Sequence, residues 1–129
     1  MSRGEQQGHP ARGDIFLANL NPTVGSEQRG VRPVVVLQND RGNSRSSTVI
    51  VAPLTSRRKR PELPTHVLLP DGLILLEQLR TIDRKRLKEK IGRLDRATLA
   101  RVDAALRASL GLTTGRDNSN EAPREDGEE

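Results

Sequence analysis

Arg32 stands directly before Pro33, at the mouth of the run Val34-Val35-Val36-Leu37 and five residues after Glu27. Proline biases the residue before it toward extended backbone, and at a strand's start its missing N–H costs no ladder bond. A guanidinium held rigidly at the lip of an apolar strand presents a planar fork of donors to a carboxylate or a phosphate. Across the loop Gly25-Ser26-Glu27-Gln28-Arg29-Gly30, Glu27 offers a carboxylate that can face the same pocket. Alone, Glu27 can equally pair with Arg29 at the surface, a contact worth under about 1 kcal/mol. Thr55 and Ser56 end the next apolar run just before Arg57-Arg58-Lys59-Arg60, so hydroxyls lie beside four positive charges. Arg80-Thr81-Ile82-Asp83 repeats the pairing of Arg with Thr, and Asp83 is placed there as a helix cap. Guanidinium and hydroxyl donors together are what a phosphoryl group needs.

Absences narrow the chemistry further. The two histidines are His9, in a polar N-terminal stretch, and His66, in an apolar run where a structural role is expected. A two-histidine acid–base pair within the folded part of one chain is therefore unavailable, and so is a multi-histidine metal site. The chain has no cysteine, which excludes a disulfide framework and a thiolate zinc site. No carboxylate cluster has hard-metal spacing, and phosphate-loop and dinucleotide fingerprints are missing. Phe16 is the only aromatic residue, so stacking on aromatic rings is nearly unavailable for a nucleic acid. No apolar run approaches the roughly 18 to 20 residues of a membrane span, and the first residues lack an apolar signal region. A soluble protein of a reducing cytoplasm is expected.

Charge points to the partner. The 129 residues carry 22 basic and 17 acidic side chains, a net of +5. Residues 113–129 hold two arginines and six acids, which leaves 20 basic and 11 acidic residues in 1–112, a net of +9. A small basic domain suits a polyanion or an acidic protein partner.

The elements that must position these residues follow from pattern. Residues 1–11 are expected as a disordered tail, 12–112 as one domain, and 113–129 as a disordered acidic tail. Ile15–Leu20 reads as a first strand and 31–38 as a second, buried on both faces. The polar stretch 39–47 reads as a surface loop, Thr48–Leu54 as a third strand and His66–Leu69 as a fourth. Leu73–Leu76 and Leu79–Ile82 supply further strand material. The period then lengthens. Asp83 is expected to cap a helix from Arg84 to about Lys90, with Ile91–Leu94 as an edge strand. Asp95 caps a second helix to Leu110, with Leu99, Val102, Leu106 and Leu110 on one stripe and Gly111 ending it. The result is an α+β, mainly β domain around a strongly bent sheet.

Several segments together carry a family resemblance. Gly13-Asp14-Ile15 opens a strand, GSEQRGVRPVVVLQND runs from Gly25 to Asp40, and the third strand ends in Pro53-Leu54-Thr55. LPTHV at Leu63 to Val67 and ILLEQLRTIDRKRL at Ile74 to Leu87 follow in order. Across roughly residues 12–112 the chain resembles the MazF/PemK family of toxin endoribonucleases. The resemblance implies an SH3-like barrel of bent antiparallel strands with a short helix and a C-terminal helix, acting as a homodimer. It implies metal-independent, cofactor-free cleavage of single-stranded RNA at short motifs, leaving 2′,3′-cyclic phosphate and 5′-hydroxyl ends. The implied partner is an acidic MazE-like antitoxin, a class of partner that the net charge of 1–112 also suits.

By position, the family's catalytic residues fall on Arg32, Thr55 and Glu27. Arg32 and Thr55 would hold the phosphoryl oxygens, and Glu27 would take the attacking hydroxyl's proton. RNA contacts are expected from Ser26, Gln28, Asn43, Ser56, Arg57, Arg58, Lys59, Arg60, Gln78 and Arg80. The short Pro70-Asp71-Gly72 turn, the basic loop and the missing aromatics depart from many members. Two other readings stay open at this point: a CcdB-like gyrase poison, which shares the barrel but depends on a tryptophan absent here, and an SH3-like RNA- or peptide-binding module.

Overall fold

The computed structural model describes residues 9–56 and 63–112. The expected tails, apart from residues 9–11, and the basic run Arg57–Arg60 lie outside the described residues. Seven strands form one antiparallel sheet: β1 Asp14–Asn19, β2 Val31–Val36, β3 Thr48–Thr55, β4 His66–Leu69, β5 Gly72–Leu75, β6 Arg80–Asp83 and β7 Leu87–Arg93. Helix α1 spans Asp40–Arg45 and α2 spans Arg96–Leu110. The order is β4-β5-β3-β2-β1-β7, with β6 also on β3, and among the described residues no pairing closes the path. Strand β3 is the hinge of this arrangement. Its first half pairs with β6 and its last two residues pair with β5, while Val51, Ala52 and Pro53 pair with β2.

The apolar run of β2 is buried on both faces, as its continuity predicts. Val34, Val35 and Val36 are each fully buried. Val35 packs with Leu37, Ala52, Val67, Ile74, Leu76 and the α2 residues Val102 and Ala105. Val34 and Val36 face the other way, against Ala18, Leu20, Val49, Val51 and Ile82. The bent sheet thus has two cores, and a single strand serves both because its side chains alternate.

Helix α2 is capped as the sequence predicts. Asp95 accepts from the Thr98 N–H at 2.8 Å, Gly111 takes a left-handed φ of 72°, and the Leu112 N–H donates to the Arg107 carbonyl at 2.8 Å. Leu110, expected on the buried stripe, is 54% exposed, and Ala105 takes the inward position instead.

Three expectations are corrected. Residues 84–90 are not a helix: Asp83 caps a single 3-10 turn, Arg84–Arg86, and Leu87 onward becomes β7 on β1. Pairing with the free edge of β1 fills the backbone bonds of this run in place of helical ones. The stretch 39–47 is not all loop, since Asn39 accepts from the Gly42 N–H and caps α1. Gly42, Asn43 and Ser44 are weak helix formers; here Asn43 is fully buried and bonded to Gln38 and Asp40. The N-terminal tail also ends earlier than residue 11: Pro10 is buried, and Ala11 exchanges hydrogen bonds with Asp14.

Candidate functional site

Strand pairing brings the chemistry-bearing residues together. Val34 lies opposite Pro53 in the β2–β3 ladder. Two residues further out lie Arg32, near the start of β2, and Thr55, the last residue of β3. Both line a cavity of about 560 Å³, with Ser56, Pro33 and Leu54 on the same wall. Ile15 of β1, Leu69, Pro70, Asp71 and Gly72 of the β4–β5 turn, and Arg93 to Asp95 before α2 complete it. Thr55 is 5% exposed. The Arg32 Nε donates to the Arg29 carbonyl at 2.8 Å, which fixes the plane of the fork and leaves its terminal nitrogens for a ligand. Among the described residues no carboxylate pairs with Arg32.

Gly72 shapes the Thr55 wall. A Cβ on Gly72 would lie 2.2 Å from the Thr55 carbonyl oxygen and 3.3 Å from the Ser56 Cα. Thr55 pairs with Leu73, the next residue, so β5 must approach β3 without a side chain at this point.

Glu27 is placed elsewhere. With Gln28, Gln78 and Arg80 it lines a second cavity of about 340 Å³, along with Leu20, Pro53, Glu77 and Leu79. Its Oε1 accepts from the Val24 N–H at 2.9 Å and closes its own turn. The expectation that Glu27 and Arg32 face one pocket is corrected for the single chain: the tight turn draws the carboxylate back over its own loop.

The remaining candidates divide. Ser56 joins Arg32 and Thr55. Ser26 is exposed in the β1–β2 loop. Gln78 and Arg80 brace that loop: the Gln78 Oε1 accepts from the Gln28 N–H at 2.9 Å, and Arg80 donates to the Leu20 carbonyl at 3.1 Å. Arg86 adds bonds to the Asn19 and Asn21 carbonyls. Asn43 is corrected as a contact residue, because its side chain is buried and spent on internal bonds in α1. Arg57, Arg58, Lys59 and Arg60 lie outside the described residues. Asp71, Arg93, Asp95 and Thr98 reach the main cavity without any local signal; they arrive through long-range pairing.

His66 has the structural role expected of it. Its side chain is 1% exposed; Nδ1 accepts from the Leu63 N–H, and Nε2 meets Glu77 Oε2 at 3.1 Å. Burial pushes the Glu77 carboxyl up. Hydrogen bonds from its own backbone N–H, from His66 and from Thr65 outweigh that and hold it below its ordinary 4.5. The Thr98 backbone N–H and hydroxyl likewise hold Asp95 below 3.8.

Comparison with known proteins gives the family and the fold. Residues 11–110 match the family described as PemK-like, MazF-like toxin of type II toxin–antitoxin systems. The chain is similar to the crystal structure of MazF from Deinococcus radiodurans: 32% identity, TM-score 0.72, covering 81% of this chain and 98% of that one. A MazE–MazF structure from the same organism gives 31% identity and a TM-score of 0.66, covering 81% and 97%. An endoribonuclease from Mycobacterial species, at 24% identity and TM-score 0.68 over 81% and 94%, shares the fold.

Proposed function

The chain belongs to the PemK-like, MazF-like toxin family, and on that premise we propose that it is a toxin that cuts single-stranded RNA. The observation that carries this reading is the shared cavity of Arg32, Thr55 and Ser56, a guanidinium fork with no carboxylate partner among the described residues, beside hydroxyls. The reaction is attack of the RNA's own 2′-hydroxyl oxygen on the neighbouring phosphorus. The bond from phosphorus to the 5′-oxygen breaks, and that oxygen takes a proton. Products are a 2′,3′-cyclic phosphate and a 5′-hydroxyl, with no metal required. Arg32 and Thr55 donate to the phosphoryl oxygens, where charge grows in the transition state. Arg32 stays protonated, so the attacking hydroxyl's proton goes to another group.

Glu27 is the proposed acceptor of that proton, and it serves only when the β1–β2 loop leaves the turn that now holds its carboxylate. The same loop bears Ser26 and Gln28. The Gln28 Oε1 is buried and without a partner among the described residues, an acceptor for a base amine once the loop opens. Glu27→Gln separates this role from a purely structural one. Loss of about 10²- to 10⁴-fold in kcat together with the acid limb of the pH–rate profile supports it; an unchanged profile removes Glu27 from proton transfer.

The Deinococcus MazE–MazF structure and the basic balance of 1–112 together support an acidic antitoxin as partner, and the family resemblance is what suggests a homodimer as the working form. The direct test is incubation of the purified chain with a long RNA in EDTA, with analysis of both new ends. Cyclic-phosphate and 5′-hydroxyl ends that disappear with Arg32→Ala are expected. Uncut RNA, or cutting that survives Arg32→Ala, overturns the proposal.

A further inference from the structure

We infer that Arg93, held by the buried Asp14, is a second phosphate-binding cation of this site, taking a phosphodiester of the RNA strand other than the one being cut. The inference rests on the RNA-cleaving reading above.

Asp14 is 3% exposed, and both of its oxygens are occupied. Oδ2 accepts from the Ala11 N–H at 2.9 Å, and Oδ1 meets Arg93 Nη1 at 2.7 Å and Lys90 Nζ at 3.2 Å. One carboxylate thus faces two cations. Asp14 fixes one edge of the Arg93 guanidinium. The rest of the side chain is 54% exposed and lines the cavity that holds Arg32, Thr55 and Ser56. Lys90 touches the same carboxylate and does not line that cavity. Arg93 therefore differs from its neighbour in place and resembles it in charge.

Sheet register places the two arginines relative to each other. Arg32 lies opposite Ala18 on one edge of β1, and Arg93 lies opposite Asp14 on the other. Their roots are four residues apart along β1, about 14 Å, and two strand spacings apart across it, about 10 Å. Ile15 lines the cavity between them. Two cations rooted so far apart, on one cavity, suit separate phosphates of one strand better than a joint grip on one. A guanidinium whose orientation is already set by a buried carboxylate loses little freedom on binding. Asp71 and Asp95 also border the cavity and repel a phosphate, so the anions of a bound strand must sit at the cations.

The test uses the full chain and a short RNA spanning its cut site, made uncleavable by a 2′-deoxy sugar at that position. Affinity is measured over a range of salt. Arg93→Ala should weaken binding about tenfold and lower the salt slope by roughly 0.7, the value for one phosphate contact on a single strand. Arg93→Lys should keep the slope. Lys90→Ala, with the same loss of charge at the same carboxylate, should keep both affinity and slope. Removing Arg93 also leaves Asp14 with one fewer partner, so Asp14→Asn with Arg93→Gln, which removes anion and cation together, should reproduce the loss in a chain of unchanged local balance. Equal binding by wild type and Arg93→Ala, or an equal loss in Lys90→Ala, overturns the inference. Wild-type protein that does not cut RNA would overturn the proposed function itself; cutting with normal binding by Arg93→Ala overturns only the role of Arg93.

Discussion

Arg32 owes its usefulness to three local constraints: Pro33 after it, the Arg29 carbonyl against its Nε, and the absence of a paired carboxylate among the described residues. A guanidinium already oriented needs little rearrangement as charge develops on a phosphoryl group, which is where preorganised donors act most strongly. Arg32→Ala is expected to lower single-turnover cleavage about 10²- to 10³-fold, the range for loss of one such donor. Arg32→Lys should recover only part of it, since an ammonium keeps the charge and loses the fork. Thr55→Ala should cost about 10- to 100-fold, as for a hydrogen bond to a charged group, and Thr55→Ser should stay close to wild type.

At the scale of elements, the end of β3 is held in place by β5, and Gly72 decides how close the two can come. With a Cβ 2.2 Å from the Thr55 carbonyl, Gly72→Ala must push that backbone away. Cleavage should fall at least tenfold in this variant, yet the substitution should add little in a Thr55→Ala background, because both act through the same hydroxyl. Equal losses in the two backgrounds would show that Gly72 serves stability alone. The contact between His66 of β4 and Glu77, just beyond β5, depends on pH. Glu77 is held below its ordinary 4.5 by its hydrogen bonds to His66, Thr65 and its own N–H, set against burial. A depressed carboxylate stabilises the fold above its unfolded value, and that contribution is lost as pH falls through the folded value. Thermal melts should therefore show an acid limb beginning below about pH 4.5 that is shallower in Glu77→Gln. An acid limb of equal slope in both proteins would remove Glu77 from the cause.

At the scale of the molecule, two cores back to back keep a thin, open sheet rigid enough to present a cavity at its rim. The basic balance of residues 1–112 acts over the whole surface and is screened by salt. Association with RNA should weaken as a straight line in log–log form as salt rises, and inhibition by an acidic antitoxin peptide should weaken alongside it. Stopped-flow binding between about 50 and 200 mM salt measures both. RNA binding that does not change with salt would rule out the net positive charge as the source of affinity.

The amino-acid sequence by itself determined the strands with continuous β-branched residues, the caps of α2, and Arg32 and Thr55 as the residues to watch. Each of these depends on local chemistry: a proline's backbone bias, an apolar run, a carboxylate before a helix. Only the tertiary structure decided which of them meet. It brought Arg32 and Thr55 to one cavity, turned 87–93 into a strand because β1 had an edge to pair, and buried Asn43. It drew Glu27 back into its own turn and carried Arg93 into the main cavity, 79 residues from the Asp14 that holds it. Neighbours along the chain follow from the chain's own spacing, whereas neighbours across a sheet depend on which edge each strand finds free.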